Sequence, residues 1–193
     1  SIHDYPLVRA YLALAMGVTR DNFYSEILVD GLNDENRESR RAAIQAVGLI
    51  GTKNASNKLK EIIENSDFPD ERLGATISMG LIGNPESIPL LKKLLEDEEP
   101  NIQWDAAVAL AKMGDPSGAF IIENLMDRHY LNAFPQVDEA EKNQAILVAI
   151  EVSSILIQDR FETKLVSLAE SDENLRIRNA AMKTLQSAYN RVI

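Results

Sequence analysis

The strongest constraint on this chain is a phrase that returns roughly once per two helices. It first reads Val8-Arg9-Ala10-Tyr11-Leu12-Ala13-Leu14-Ala15-Met16-Gly17 and then Ser39-Arg40-Arg41-Ala42-Ala43-Ile44-Gln45-Ala46-Val47-Gly48. It returns at residues 71–80 and 102–111, with looser copies beginning at Lys142 and Ile177. Its second position falls at residues 9, 40, 72, 103, 143 and 178, so the steps are 31, 32, 31, 40 and 35. A fixed period of this length, carried by helical text, is the signature of a helical solenoid, in which each unit packs mainly on its neighbours.

The punctuation supports two helices per unit. Gly51-Thr52, Gly83-Asn84-Pro85 and Gly114-Asp115-Pro116 each end one helix on glycine and start the next element. Acidic turns then precede the recurring phrase: Asn33-Asp34-Glu35, Asp67-Phe68-Pro69-Asp70, Asp97-Glu98-Glu99-Pro100 and Asp172-Glu173-Asn174. Acids there favour the positive end of the following helix. The reading predicts first helices, A, over 21–32, 55–65, 85–96, 117–128 and 161–171. Second helices, B, are predicted over 6–17, 38–51, 71–83, 101–114, 139–158 and 175–192. No strand-like alternation occurs, so the expected class is all-α.

An acidic turn followed by apolar-Arg-x-x-Ala-Ala-x-Ala-Leu-Gly resembles HEAT repeats, specifically the bacterial type also called PBS-lyase HEAT-like repeats. The resemblance covers essentially the whole chain and is clearest around Arg40, Arg72 and Gln103. It implies a right-handed α-α superhelix of about five to six two-helix repeats, forming a single domain over 1–193. The chain opens directly on a B helix, so it reads as a piece excised from a longer protein. Two departures stand out. The step from Gln103 to Asn143 places about eight extra residues near 128–138, and Glu151 and Gln186 stand where Gly48 and Gly80 stand in earlier copies.

Composition narrows the function. A formal net charge of −10 argues against nucleic acid or an anionic membrane as the main partner, since phosphate neutralisation needs a basic surface. There is no cysteine, which excludes disulfides, thiolate nucleophiles and Cys-ligated metal. No apolar run approaches the length of a spanning helix. The two histidines, His3 and His129, form no His-x-x-x-His or His-Glu pair, unlike the paired ligands of HEAT-repeat iron hydroxylases. No phosphate-binding glycine loop or nucleophile elbow is present. No catalytic residue, metal or cofactor is expected.

The candidate residues are therefore partner-binding ones. Arg9, Arg40, Arg72 and Arg178 form a column at one slot, with Gln103 and Asn143 replacing arginine in two units. The column reads either as a basic stripe for an acidic peptide or, preferably, as a structural ladder pairing with turn acids such as Asp34, Asp67 or Asp97. Trp104 shares a slot with Ala10, Arg41, Leu73, Gln144 and Asn179, a mixture that suggests partial exposure, and its ring reads either as a binding anchor or, preferably, as packed along the neighbouring helices. Arg41, Trp104 and Gln144 join the candidates for that reason. Asp105 holds the slot of Ala42, Gly74, Ala145 and Ala180, where a carboxylate needs a partner such as Arg72. His129, Tyr130 and Phe134 lie in the insertion, where a long connection offers either a binding lip or a spacer that packs its aromatics back onto the solenoid.

These features favour a non-catalytic scaffold, not an enzyme, that holds a protein or peptide partner on its concave B-helix face. The resemblance leaves two alternatives, a phycobilin-lyase-like or chaperone-like subunit and, remotely, a HEAT-like DNA glycosylase. The expected fragment is monomeric, makes no direct contact with membrane or nucleic acid, and is cytoplasmic, with room for a membrane anchor in the longer protein.

Overall fold

The computed structural model describes residues 5–191. His3, and Val192 at the end of the last predicted helix, lie outside the described residues. Every regular element among the described residues is a helix. In order they are α1 (Pro6–Thr19), α2 (Ser25–Gly31), α3 (Arg37–Ile50), α4 (Ser56–Asn65), α5 (Pro69–Ile82), α6 (Ile88–Leu94), α7 (Pro100–Lys112), α8 (Ala119–Leu125), α9 (Arg128–Leu131), α10 (Glu139–Ser153), α11 (Asp159–Ser171) and α12 (Leu175–Ala188). The B helices are α1, α3, α5, α7, α10 and α12. The chain divides into two compact units, residues 1–109 and 110–193.

Turn chemistry explains the boundaries. Gly51, Gly83 and Gly114 end B helices at φ +76°, +63° and +77°, a left-handed conformation that glycine enters without a Cβ penalty. A short 3-10 turn follows each, so the A helices begin later than the hydrophobic spacing indicates. The Asn84 and Asp115 side chains start these turns by accepting from the main-chain N–H of Glu86 and Ser117, at 3.2 and 2.9 Å. Conversely, α5 and α7 begin earlier than predicted, with Pro69 and Pro100 supplying their first residues, where proline loses no helical hydrogen bond. Helix α10 stops at Ser153, short of the predicted 158. The Tyr189 hydroxyl then holds the connection by donating to the Ser153 carbonyl and accepting from the Gln158 N–H.

In the first unit the core consists of the inward stripes of α2, α4 and α6, including Leu28, Leu59 and Leu91, against small B-helix residues such as Ala43 and Ala75. The B helices touch through the glycine that ends the phrase. A Cβ on Gly17 would sit 2.7 Å from the Ala46 Cα, one on Gly48 would sit 2.6 Å from the Ser78 Oγ, and one on Gly80 would sit 2.6 Å from the Ala109 Cβ. Each glycine thus faces the alanine or serine two residues earlier in the next copy of the phrase. In the second unit Glu151 and Gln186, at the same slot, are exposed. There α10 is started by a reciprocal cap: the Asp138 carboxylate accepts from the Glu141 N–H at 2.8 Å and Glu141 from the Asp138 N–H at 2.9 Å.

Gly74 differs from these glycines. Its added Cβ would meet only the Ile44 Cγ2, at 3.4 Å, although glycine in a helix interior costs roughly 0.5–1 kcal/mol relative to alanine. The two classes should respond oppositely to the same change. Gly48→Ala is expected to destabilise by about 1–3 kcal/mol through overpacking, whereas Gly74→Ala should be neutral or stabilising by up to about 1 kcal/mol. Urea unfolding of the two variants checks the signs.

Candidate functional site

The arginine column is tied into the turns. The Arg9 guanidinium donates to both Asp34 carboxylate oxygens, at 2.6 and 2.8 Å, while Arg40 donates to the Asp34 main-chain carbonyl at 2.9 Å. Arg72 pairs with the Asp97 carboxylate, and Gln103 donates to the Asp97 carbonyl. One turn acid therefore clamps the same slot of two successive B helices, its carboxylate on one and its carbonyl on the other. The middle turn has Ser66 at the acid's position, and Arg72 there donates to the Ile63 carbonyl at 3.2 Å. Glu71 replaces the acid there, accepting from Arg40 at 2.8 Å and from the Ser66 hydroxyl at 2.9 Å.

The second unit keeps the clamp with its parts rearranged. Asn143 occupies the arginine slot of α10 and cannot form an ion pair. Arg128, at the start of α9 in the insertion, fills the gap. It donates to both Asp172 oxygens at 2.7 and 2.9 Å and to the Asn143 side chain at 2.7 Å, while Arg178 donates to the Asp172 carbonyl at 2.7 Å. Arg128 stands 31 residues after Asp97, at the acid's own position in the repeat, so the charge at that slot is reversed.

The turn acids titrate accordingly. The hydrogen bonds from Arg9 outweigh burial and hold the Asp34 carboxyl below its ordinary range. Burial raises the Asp172 carboxyl, but Arg128, the Asn174 N–H and the Arg178 charge together overcome it and keep the group low.

A different surface of the first unit is open. The exposed face of α1, α3 and α5 carries a hollow of about 500 Å³, bordered by Tyr11, Leu14, Ile77 and Leu81, with Ala42 and Gly74 also lining it. Tyr11 is 71% exposed, and Ile77 and Leu81 are also solvent-exposed. Glu38, Arg41 and Asp70 line the same hollow. Arg41 contacts Glu38 at 3.3 Å and Asp70 at 3.0 Å, so these charges are internally matched. Arg37 pairs with Asp70 as well and lies over the Phe68 ring, 4.3 Å from its centroid. Burial raises the Asp70 carboxyl, yet the Arg37 hydrogen bond and the Arg37 and Arg41 charges prevail and lower it.

Of the residues singled out in the sequence, Arg41 lines this hollow. Arg9, Arg40, Arg72, Gln103 and Arg178 belong to the turn clamps. Trp104 is buried, at 8% exposure, although its slot suggested partial exposure. Ala10 at that slot is also buried, Leu73 is half-buried and Arg41 exposed, so mixed occupancy reflects an environment that changes from helix to helix. Asp105 is half-buried and Gln144 exposed. In the insertion His129 is exposed, while Tyr130 and Phe134 meet edge to face with ring centres 5.2 Å apart. The sequence reading did not single out Tyr11, Ile77, Leu81 or Gly74, which line the hollow. A glycine at a slot where other copies of the phrase carry Ala42, Ala145 and Ala180 was the available signal. Among the described residues no cluster of three His, Asp or Glu side chains could hold a metal ion.

The comparisons with known proteins agree with this architecture. The family model described as HEAT repeats matches residues 56–130. Over that stretch the chain carries HEAT repeats. The 26S proteasome regulatory subunit rpn2 of Schizosaccharomyces pombe is 30% identical over 101 residues, which cover 49% of this chain and 10% of that subunit. Among solved structures, a chain of the CpcE–CpcF complex of phycocyanin lyase from Nostoc aligns with a TM-score of 0.55 at 18% identity, covering 92% of this HEAT-repeat chain and 81% of the other. Human deoxyhypusine hydroxylase aligns with a TM-score of 0.46 at 15% identity, covering 97% and 81%. No helix among the described residues is long and apolar enough to cross a membrane.

The Asp172 side chain is only 1% exposed, so removing its partner strands a buried charge. Arg128→Ala should cost roughly 3 kcal/mol or more, and adding Asn143→Arg should recover most of it by restoring arginine to its repeat slot. Arg41→Ala, at an exposed pair, should cost under about 1 kcal/mol. Denaturant unfolding of the four proteins tests the assignment. Because the folded Asp34 and Asp172 carboxyls are held low, their stabilisation is present above the ordinary carboxylate value near pH ~4 and is lost as pH falls through the folded values. Asp172→Asn should therefore show a shallower loss of stability on acidification than the wild type.

Proposed function

We propose that this chain is a non-catalytic protein-binding scaffold whose partner places a bulky apolar side chain in the hollow on the B-helix face of the first unit. One observation carries the reading. Gly74 lines that hollow at a position where packing would accept alanine, so a small residue there serves the open space and not the contact between helices. Tyr11, Ile77 and Leu81 then expose apolar surface around it, the kind of concave patch that seats an interface anchor. The internally paired rim leaves shape and apolar burial to dominate recognition. Two similar proteins are themselves described as parts of assemblies, one in a two-protein complex and one as a regulatory subunit. That setting suits a repeat surface that binds a protein partner and makes no direct contact with membrane or nucleic acid.

The test is capture from the native host's lysate by the wild type, Gly74→Leu and Ile77→Asp, each first shown to keep its helical content. Leucine at 74 must project into the hollow, and aspartate at 77 puts a charge on its wall. The expected result is one defined protein captured by the wild type and weakened at least tenfold by both variants. Equal capture by all three would remove the hollow as the site.

A further inference from the structure

The Gly74 hollow holds a second exception to the repeat. Five residues after the second position of the phrase stand Leu14, Gln45, Ile77, Val108 and Val148 in the first five copies, and Lys183 in the last. Gln45 is therefore an amide at a slot that its neighbours fill with hydrocarbon. Leu14, Gln45 and Ile77 occupy that slot on α1, α3 and α5, and all three line the hollow. Gly74 leaves space there, and Gln45 puts a polar group into an otherwise apolar stretch of its wall.

The other polar side chains of the hollow are engaged or mostly in water. Glu38 and Asp70 pair with Arg41. Ser78 donates its hydroxyl to the Ile44 carbonyl at 2.7 Å. Tyr11 is 71% exposed. Among the described residues the Gln45 side chain forms no hydrogen bond, and it is exposed. An occupant of hydrocarbon alone would strip this amide of water and give nothing back, which opposes binding. The favoured occupant fills apolar space and brings one hydrogen-bonding group with it.

We propose that the side chain seated in the hollow is a tryptophan of the partner protein, its indole N–H donating to the Gln45 amide oxygen. The inference rests on the hollow being a partner's anchor site, and it names the anchor. Tryptophan joins a large apolar ring system to a single ring donor. Those two properties match a hollow of about 500 Å³ with one unengaged amide in its wall. Buried anchors of this kind carry much of the energy of protein interfaces. A second copy of this chain is not the source, because its one tryptophan, Trp104, is buried.

The probes are N-acetyl-tryptophanamide, its N-methylindole analogue, which lacks the ring N–H, and N-acetyl-tyrosinamide. Each is titrated into the isotope-labelled full chain, and binding is read from the NMR shifts of the Gln45 side-chain amide and the Gly74 N–H. N-acetyl-tryptophanamide should bind at least about fivefold more tightly than either of the others. Gln45→Leu, which installs the residue found at position 14, should abolish the preference over the methylated form. Gly74→Leu should weaken both indoles at least tenfold, and circular dichroism confirms that the variants fold. Equal affinity of the two indoles, a preference that survives Gln45→Leu, or tighter binding of the tyrosine amide would overturn the tryptophan assignment. If Gly74→Leu still blocks binding in those cases, the hollow itself stands as an anchor site. Absence of any shift at Gln45 and Gly74 also overturns the assignment, and the capture experiment with Gly74→Leu and Ile77→Asp then decides separately whether the hollow binds a protein.

Discussion

The close approach of successive B helices sets the geometry of the first unit. Where Gly17, Gly48 and Gly80 face Ala46, Ser78 and Ala109, main chain meets small side chain and nothing larger fits. That contact fixes the distance between helices, and two other features depend on it. The turn acids can clamp residues from adjacent B helices only when the two slots come within one arginine's reach. The hollow at Ala42 and Gly74 exists only because the helices are held together elsewhere along their length, so leaving it empty does not collapse the face.

The clamp also separates two roles that arginine plays in one repeat. An arginine whose guanidinium is satisfied by a carboxylate and a main-chain carbonyl gains little from a further anionic partner, and detaching it would strand acids that are partly or wholly buried. The column is thus better suited to fixing register between repeats than to recognition. Arg128 supports this view, because it restores the pairing at Asp172 from a different part of the chain where Asn143 has lost it. What recurs is the neutralised acid rather than arginine at a particular position.

Much of this was legible in the residues. The period, the glycine-ended helices and the acidic turns gave the all-helical repeat class, and the ladder reading of the arginines named Asp34 and Asp97 as partners; it also named Asp67, where Glu71 accepts from Arg40 instead. The site was harder to read, for physical reasons. Phrase alignment compares slots as though each had one environment, but burial at the Trp104 slot runs from Ala10, buried, to Arg41, exposed. Charged residues drew the attention, while the hollow is lined by apolar side chains that in a sequence look like core. The signal was the exception within the pattern, glycine at 74 where alanine would pack. Arg128 was hidden for another reason: it acts across 44 residues, and no local spacing links it to Asp172.

The proposed hollow at Gly74 needs no new chemistry. A repeat position becomes available for binding when one copy leaves unfilled what other copies fill, and at Gly74 the absent group is a side chain where Ala42 keeps one. Helix spacing does not demand the glycine, because an added Cβ there would meet only the Ile44 Cγ2 at 3.4 Å. The charges on the rim are paired with one another through Arg41, Glu38 and Asp70, so a partner seated there would be selected by shape and apolar burial rather than by charge.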